Sequence, residues 1–169
     1  MNFIDIIWDF ENNRQDWYKI GDGCYRDVYG NDNFPEIVLK VNRQGPQNYN
    51  EVMLHLGAPR FPEIDEFIQE TYAEFVRRGG REYLNPVLDW SEDFKYVIAR
   101  KAEEPESFNV YSDSEIFVEL SLNIGHGLLM DFDIHNQNVM IGDNGQPVII
   151  DYGYIGIDSN EWREMGMEG

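Results

Sequence analysis

The chain has 169 residues, of which 42% are hydrophobic and 14% aromatic, so it can bury a core of its own and is too apolar to be disordered. Its 13 basic and 32 acidic residues give a net charge of −19, which argues against direct nucleic-acid binding because phosphates repel such a surface. Short apolar runs and an N-terminus without a basic segment ahead of an apolar one predict a soluble cytoplasmic protein with no membrane insertion. The single cysteine, Cys24, excludes an internal disulfide framework and a cysteine-based zinc site.

The opening segment, residues 1–14, is interpreted as an acidic N-terminal extension that carries one short helix. Ile4, Ile7 and Trp8 are spaced to lie on one side of that helix.

Aromatic and β-branched runs predict five strands in the next part of the chain, and turns rich in glycine, asparagine and aspartate separate several of them. The predicted strands are 17–20, 24–29, 36–41, 85–90 and 94–99. Two helices are expected between the third and fourth strands, over 49–56 and 63–78. The second is the most clearly amphipathic segment of the chain, and it ends at a pair of glycines.

Beyond residue 100, the spacing of Ser112 and Glu115 matches a capping box at the start of another helix. Its expected apolar stripe contains Ile116, Phe117, Leu120 and Ile124. Two short strands follow, over 138–141 and 147–150. Strands interrupted by helices and followed by a hairpin indicate an α+β fold and not an alternating βαβ order.

Two features near the beginning of the strands are candidates for phosphate binding. The Gly21-Asp22-Gly23 turn lets backbone amides approach phosphates without interference from a Cβ, although a plain hairpin turn explains the same residues. Lys40 interrupts an apolar strand in a chain with only four lysines. It is either a cation aimed at phosphate oxygens or an outward-facing lysine on an edge strand.

Three oxygen-bearing side chains, Asp133, Asn138 and Asp151, flank the short strands near the end of the chain. A hairpin gathers such residues at one end, and Mg²⁺ prefers oxygen ligands of this kind together with substrate phosphates. Turn formation is the alternative explanation, because Asp and Asn begin turns in many proteins.

Together these residues resemble the signature set of the protein-kinase-like superfamily. Its segments appear in order as Gly21-x-Gly23-x-x-Arg26-x-Val28, Val38-Leu39-Lys40, Asp133-x-x-x-x-Asn138 and Asp151-Tyr152-Gly153. The form Asp133-x-His135-x-x-Asn138 is most similar to the atypical and small-molecule branches, which include aminoglycoside phosphotransferases, lipopolysaccharide kinases and RIO kinases.

The resemblance implies a role for each matching residue. ATP lies under the glycine loop, so Gly21, Gly23, Arg26 and Val28 are expected to contact it, and Lys40 to bind its phosphates. Glu51 is the expected partner of Lys40, with Glu70 as the alternative. Asp133 receives the proton of the acceptor hydroxyl, His135 steadies the catalytic loop, and Asn138 and Asp151 hold Mg²⁺.

The implied fold is a two-lobed α+β structure, with a first lobe over residues 15–99 and a second lobe over 100–169. The second lobe is expected to be reduced, because the sixteen residues after Gly153 are too few for the family's activation segment and the helices that follow it. Arg26 replaces the third glycine of the loop, and Asp131-Phe132 replaces the usual His-Arg, so control by activation-loop phosphorylation is not expected. The implied activity is phosphoryl transfer from Mg-ATP to an unidentified hydroxyl acceptor, protein or small molecule. A nucleotide-binding pseudokinase and an acidic decoy for a basic partner are the alternatives.

The strongly acidic charge has three explanations that the sequence leaves open. It fits an adaptation to high salt, where repulsion between carboxylates is screened. It fits equally a docking surface for a basic protein partner, or a device for solubility alone.

Overall fold

The computed structural model describes residues 2–23, 25–57, 66–104, 115–131, 134 and 136–153. The α+β prediction is confirmed. The helices are α1 (Phe3–Asn12), α2 (Gln47–Leu56), α3 (Glu66–Arg77), α4 (Glu115–Leu120) and α5 (His126–Asp131), and a π-helical turn, Ser121–Gly125, joins the last two. The strands are β1 (Tyr18–Asp22), β2 (Arg26–Gly30), β3 (Ile37–Asn42), β4 (Val87–Trp90), β5 (Tyr96–Arg100), β6 (Val139–Ile141) and β7 (Pro147–Ile149). None of the helices in the described ranges has the length and apolar character needed to cross a bilayer.

The first five strands form one antiparallel sheet in the order β1-β2-β3-β5-β4. The ends of each of these strands lie within two residues of the predicted ends, because runs of β-branched and aromatic residues favour strands and can be recognised in the sequence. The strand β3 is the middle strand of the five, and Val38, Leu39 and Lys40 are buried within it.

The described residues belong to two compact units. One draws on Met1–Val52 and Pro86–Lys101, and the other on Met53–Asn85 and Ala102–Gly156. In the second unit, α3 and the chain after it contact the later segments. Arg78 donates to the carbonyl of Ile124 at 2.9 Å, and the amide of Asn85 donates to the carbonyl of Ile149 at 2.9 Å.

The predicted N-terminal extension is an integral part of the first unit. Helix α1 begins at an N-cap, where the side chain of Asn2 accepts a hydrogen bond from the amide of Asp5. Of the three apolar residues that the sequence singled out in this helix, Ile7 packs against the core, whereas Ile4 is 73% and Trp8 59% exposed. The side chains that α1 buries against the sheet share one core cluster with strand residues: Ile6, Phe10, Trp17, Tyr29, Leu39, Tyr96 and Ile98.

We expect Phe10→Ala to lower the free energy of unfolding by about 3–5 kcal/mol, the usual cost of deleting a buried aromatic side chain. The ring of Phe10 lies 5.5 Å from that of Trp17, 5.1 Å from that of Tyr29 and 6.1 Å from that of Tyr96. Trp8→Ala on the exposed side of the same helix should change stability by only about 0.5 kcal/mol. Urea unfolding of both variants measures the difference, and equal losses would contradict this packing of α1.

In the second unit, β6 and β7 form an antiparallel hairpin in which Val139 pairs with Ile149. The helical segment before it buries Phe117, Leu120, Ile124 and Leu129. Three of these belong to the predicted stripe, and the π-helical turn then shifts the spacing of later residues. The predicted helix start at Ser112 and the first residues of the predicted helix 63–78 lie outside the described residues.

Candidate functional site

Three of the predicted nucleotide-binding residues lie in one row across the sheet. The strand register pairs Gly21 with Val28, Val28 with Lys40, Lys40 with Val97, and Val97 with Trp90. Directly paired residues of neighbouring strands place their side chains on the same face of a sheet. The glycine, the valine and the lysine of the predicted signature are therefore neighbours on one face, although Lys40 lies 19 positions after Gly21 in the sequence.

Lys40 is not an edge-strand lysine. It lies in the middle strand and is only 4% exposed, which contradicts the alternative of an outward-facing surface side chain. A lysine loses most of its hydration at such a position, so the charged form requires a partner with the opposite charge.

The partner is Glu51 in α2. One carboxylate oxygen of Glu51 accepts a hydrogen bond from the Lys40 ammonium group, and both side chains are buried. Glu70, the alternative partner, is an exposed residue of α3 in the other unit. Because both charges are buried, removing either one leaves the other without compensation, which is why such pairs are sensitive to substitution.

Arg26 lies in the same buried cluster as Lys40 and Glu51. Its guanidinium group is 2% exposed, donates to the second carboxylate oxygen of Glu51 at 2.5 Å and donates to Asn48 Oδ1 at 3.1 Å. Glu51 thus accepts from two cations on neighbouring strands. Arg26 therefore links α2 to the sheet in this structure.

Asn48 is a site residue that the sequence analysis missed. It is fully buried, and its side-chain amide donates to the carbonyls of Phe94 at 2.9 Å and Lys95 at 3.2 Å. It therefore joins α2 to the turn between β4 and β5 while its oxygen accepts from Arg26. The sequence does contain a pattern that points to Asn48, namely the polar residues between Asn48 and Glu51. If a helix buries such residues against a sheet, their side chains must form hydrogen bonds with polar groups of the sheet.

The glycine turn is closed by backbone hydrogen bonds. The amide of Gly23 donates to the carbonyl of Arg26 at 3.1 Å, and the side chain of Arg43 donates to the carbonyl of Gly23. A Cβ at Gly21 would make only ordinary contact with Val28, at 3.5 Å, and neither glycine has a positive φ. The conformation of the hairpin therefore does not require glycine at position 21, which weakens the plain-turn explanation.

Arg43 also connects this turn to Asp27 on β2. Burial raises the pKa of the Asp27 carboxyl, but the hydrogen bond from Lys19 and the charges of Arg43 and Lys19 outweigh burial and hold that pKa below 3.8. Since the folded-state pKa is the lower one, Asp27 contributes stability at neutral pH. That contribution is lost as the pH falls below 3.8 through the pKa of the folded state.

The two predicted magnesium ligands lie at the open end of the β6–β7 hairpin. Asn138 directly precedes β6, its carbonyl accepts from the amide of Ile150 at 2.8 Å, and Asp151 is the next residue. An amide and a carboxylate oxygen at one end of a hairpin suit Mg²⁺ by ligand type. No group of three or more His, Cys, Asp or Glu side chains suited to a metal ion occurs among the described residues, and this pair of one amide and one carboxylate would not form such a group.

Asp151 has an unusual backbone conformation, with φ at 58°. Residues other than glycine rarely adopt the left-handed region, and aspartate is among those that tolerate it. Such conformations occur disproportionately at functional sites, which makes Asp151 a candidate independent of its motif. Asp133 and His135, the predicted catalytic base and loop residue, lie outside the described residues.

The sequence of the chain matches no protein-family model and no curated protein. The functional assignment therefore depends on the residues and their geometry.

Proposed function

We propose that the protein is a kinase-like phosphotransferase that moves the γ-phosphoryl group of Mg-ATP to a hydroxyl acceptor. The observation that carries the proposal is the row Gly21–Val28–Lys40 on one sheet face, with the buried Lys40 held by Glu51 from α2. The kinase-like two-lobed architecture is part of the same proposal. Its support is the five-stranded antiparallel sheet, whose middle strand carries the lysine.

In this proposal the first unit binds the phosphates. Lys40 supplies a cation in a position from which water is excluded, where its attraction for phosphate oxygens is stronger than in solution. Glu51 keeps the lysine charged and limits the directions in which its ammonium group can point. Gly21 leaves the sheet face open above Val28, and Val28 offers the base or ribose an apolar contact.

Asn138, Asp151 and Asp133 carry the transfer step. Asn138 and Asp151 would hold Mg²⁺, which neutralises phosphate charge when bound. Asp133 orients the acceptor hydroxyl and receives its proton. The bond between the γ-phosphorus and the bridging oxygen breaks, a bond from phosphorus to the acceptor oxygen forms, and ADP leaves with the electron pair of the broken bond.

A thermal-shift titration with Mg-ATP tests the nucleotide site. Binding to the folded state alone should raise the free energy of unfolding by about 2.7 kcal/mol at a hundredfold excess over the dissociation constant. We expect the shift in the parent protein and in Lys95→Ala, which removes an exposed lysine of the same unit. We expect it to disappear in Lys40→Ala.

For each variant, the melting temperature with Mg-ATP is compared with that of the same variant without it, because Lys40→Ala also changes stability in the absence of ligand. An absent shift in the parent protein at about millimolar nucleotide, the weak end of specific binding, would refute the proposed function. A shift of equal size in Lys40→Ala would instead remove Lys40 from the site.

A further inference from the structure

A second candidate site lies on the opposite face of the sheet from Lys40. Ile37, Leu39 and Ile98 alternate with Val38, Lys40 and Val97 along β3 and β5, so the two sets face opposite sides. On the face with Ile37 and Ile98 there is an open groove of about 550 Å³. We call it the α1 groove, because Asn2, Phe3 and Ile6 form one wall, residues 33–37 form the second, and Leu88 and Asp89 of β4 form the third.

The floor and walls of the α1 groove are mainly apolar. Phe3, Phe34, Pro35 and Leu88 line it above Ile98, and Leu88 is 43% exposed. A volume of this size accepts one or two large side chains and lies in the range of ordinary ligand sites. An apolar side chain that entered the groove would be removed from water on several sides.

An irregularity in β4 places two successive residues in the lining of the groove. Val87 pairs with Ala99 and Asp89 with Ile98, so Leu88 is an extra residue at an irregularity in the register. In a regular strand, successive side chains point to opposite faces. Here Leu88 and Asp89 both line the groove, and re-aiming a side chain is a known role of β-bulges.

The charged side chains of the groove have one sign. Glu36 and Asp89 line it and are exposed, while none of its lining residues, all of which the structure describes, is Lys, Arg or His. The Asp89 carboxylate accepts a hydrogen bond from the amide of Trp90 at 2.9 Å, and a carboxylate can accept more than one. The charge of −19 on the whole chain adds a long-range attraction for cations.

We propose that the α1 groove binds a basic peptide segment that inserts a bulky apolar side chain and presents lysine or arginine to Glu36 and Asp89. The apolar lining selects the inserted side chain, and the carboxylates at the rim select the flanking cations. The groove lies at β4, the last strand in the order of the described sheet, and peptides commonly bind at such a strand by adding to the sheet. This inference is independent of the proposed nucleotide site.

Fluorescence anisotropy with a labelled peptide tests the proposal. The probe is the hexapeptide Lys-Arg-Trp-Leu-Arg-Lys, and two comparison peptides replace either its four basic residues by glutamate or its Trp-Leu pair by Gly-Ser. We expect the probe peptide to bind and the two comparison peptides not to bind. Equal binding of the Gly-Ser peptide would overturn the proposal because the apolar groove would then contribute nothing.

Two charge-reversal variants locate the binding. Glu36→Lys with Asp89→Lys changes the rim of the groove, while Asp16→Lys with Glu92→Lys makes the same change in net charge at exposed positions of the same unit outside the groove lining. We expect affinity to fall at least about tenfold in the rim variant and less than about threefold in the control, since long-range attraction is equal in the two. Equal losses in both variants would overturn the proposal.

Leu88→Ser gives a second, uncharged test that keeps the rim intact. Because Leu88 is partly exposed, the protein should keep its fold, which urea unfolding checks. We expect several-fold weaker binding of the probe. Unchanged affinity in this variant, or no binding by the parent protein at about 1 mM peptide, would overturn the proposal.

Discussion

Replacing Glu51 with alanine is expected to destabilise the protein by about 3–5 kcal/mol, because the change leaves two buried cations without the carboxylate that they share. Lys40, Arg26 and Glu51 are all at most 4% exposed, so water cannot solvate the remaining charges without local opening. A loss of this size is a large fraction of the free energy of unfolding of a typical domain, which is roughly 5–15 kcal/mol. The variant should unfold at a clearly lower denaturant concentration.

Two companion variants separate charge from hydrogen bonding. Glu51→Gln keeps an oxygen acceptor and most of the volume but removes the charge, so we expect a loss smaller than that of Glu51→Ala. Glu92→Ala removes an exposed carboxylate in the turn between β4 and β5 and should change stability by only about 0.5 kcal/mol. Guanidinium or urea unfolding curves measure all three, and a Glu51→Ala protein as stable as Glu92→Ala would contradict the buried cluster.

The second large effect concerns phosphoryl transfer. Asp133→Asn keeps the size of the side chain and most of its hydrogen bonding but removes the base, so transfer should fall by about 10²–10⁴-fold while Mg-ATP affinity changes little. Asp151→Asn removes a carboxylate from the proposed metal site, so both Mg-dependent nucleotide binding and transfer should fall. Asp143→Asn, in the turn at the other end of the same hairpin, is the matched control and should retain both.

The measurement is transfer of labelled γ-phosphate to water, to the protein itself and to a panel of small hydroxyl compounds, with and without Mg²⁺. If the parent protein binds Mg-ATP and transfers nothing, the pseudokinase alternative replaces the enzyme. If the parent turns over and Asp133→Asn does so equally well, the assignment of Asp133 as the base is wrong.

Much of the secondary structure could be read from local sequence. The runs around Val38 and Ile98 are β-branched and bounded by turns, so local patterns placed all five strands of the sheet to within two residues. The motif spacing also favoured Glu51 as the partner of Lys40, and the structure contains this ion pair. The strands could be predicted because strand formation depends largely on short segments of sequence.

The face of a helix and the partner of a buried charge were decided by tertiary structure. The spacing in α1 suits more than one apolar side, and contact with the sheet selected Ile6 and Phe10 over Ile4 and Trp8. Sequence patterns compare the faces of a helix by their hydrophobicity alone, whereas the free energy gained by burying a face depends on the surface against which it packs.

Arg26 shows the same limit for a charged residue. At the third-glycine position its sequence context indicates a phosphate contact, but its side chain extends to Glu51, 25 residues along the chain, and Asn48 reaches Phe94 across 46 residues. A buried arginine must find a carboxylate wherever the fold supplies one, because desolvation of its charge costs more than any local preference provides. The sequence by itself determined which chemical groups are present, and the packing of α2 on the sheet decided which of them meet.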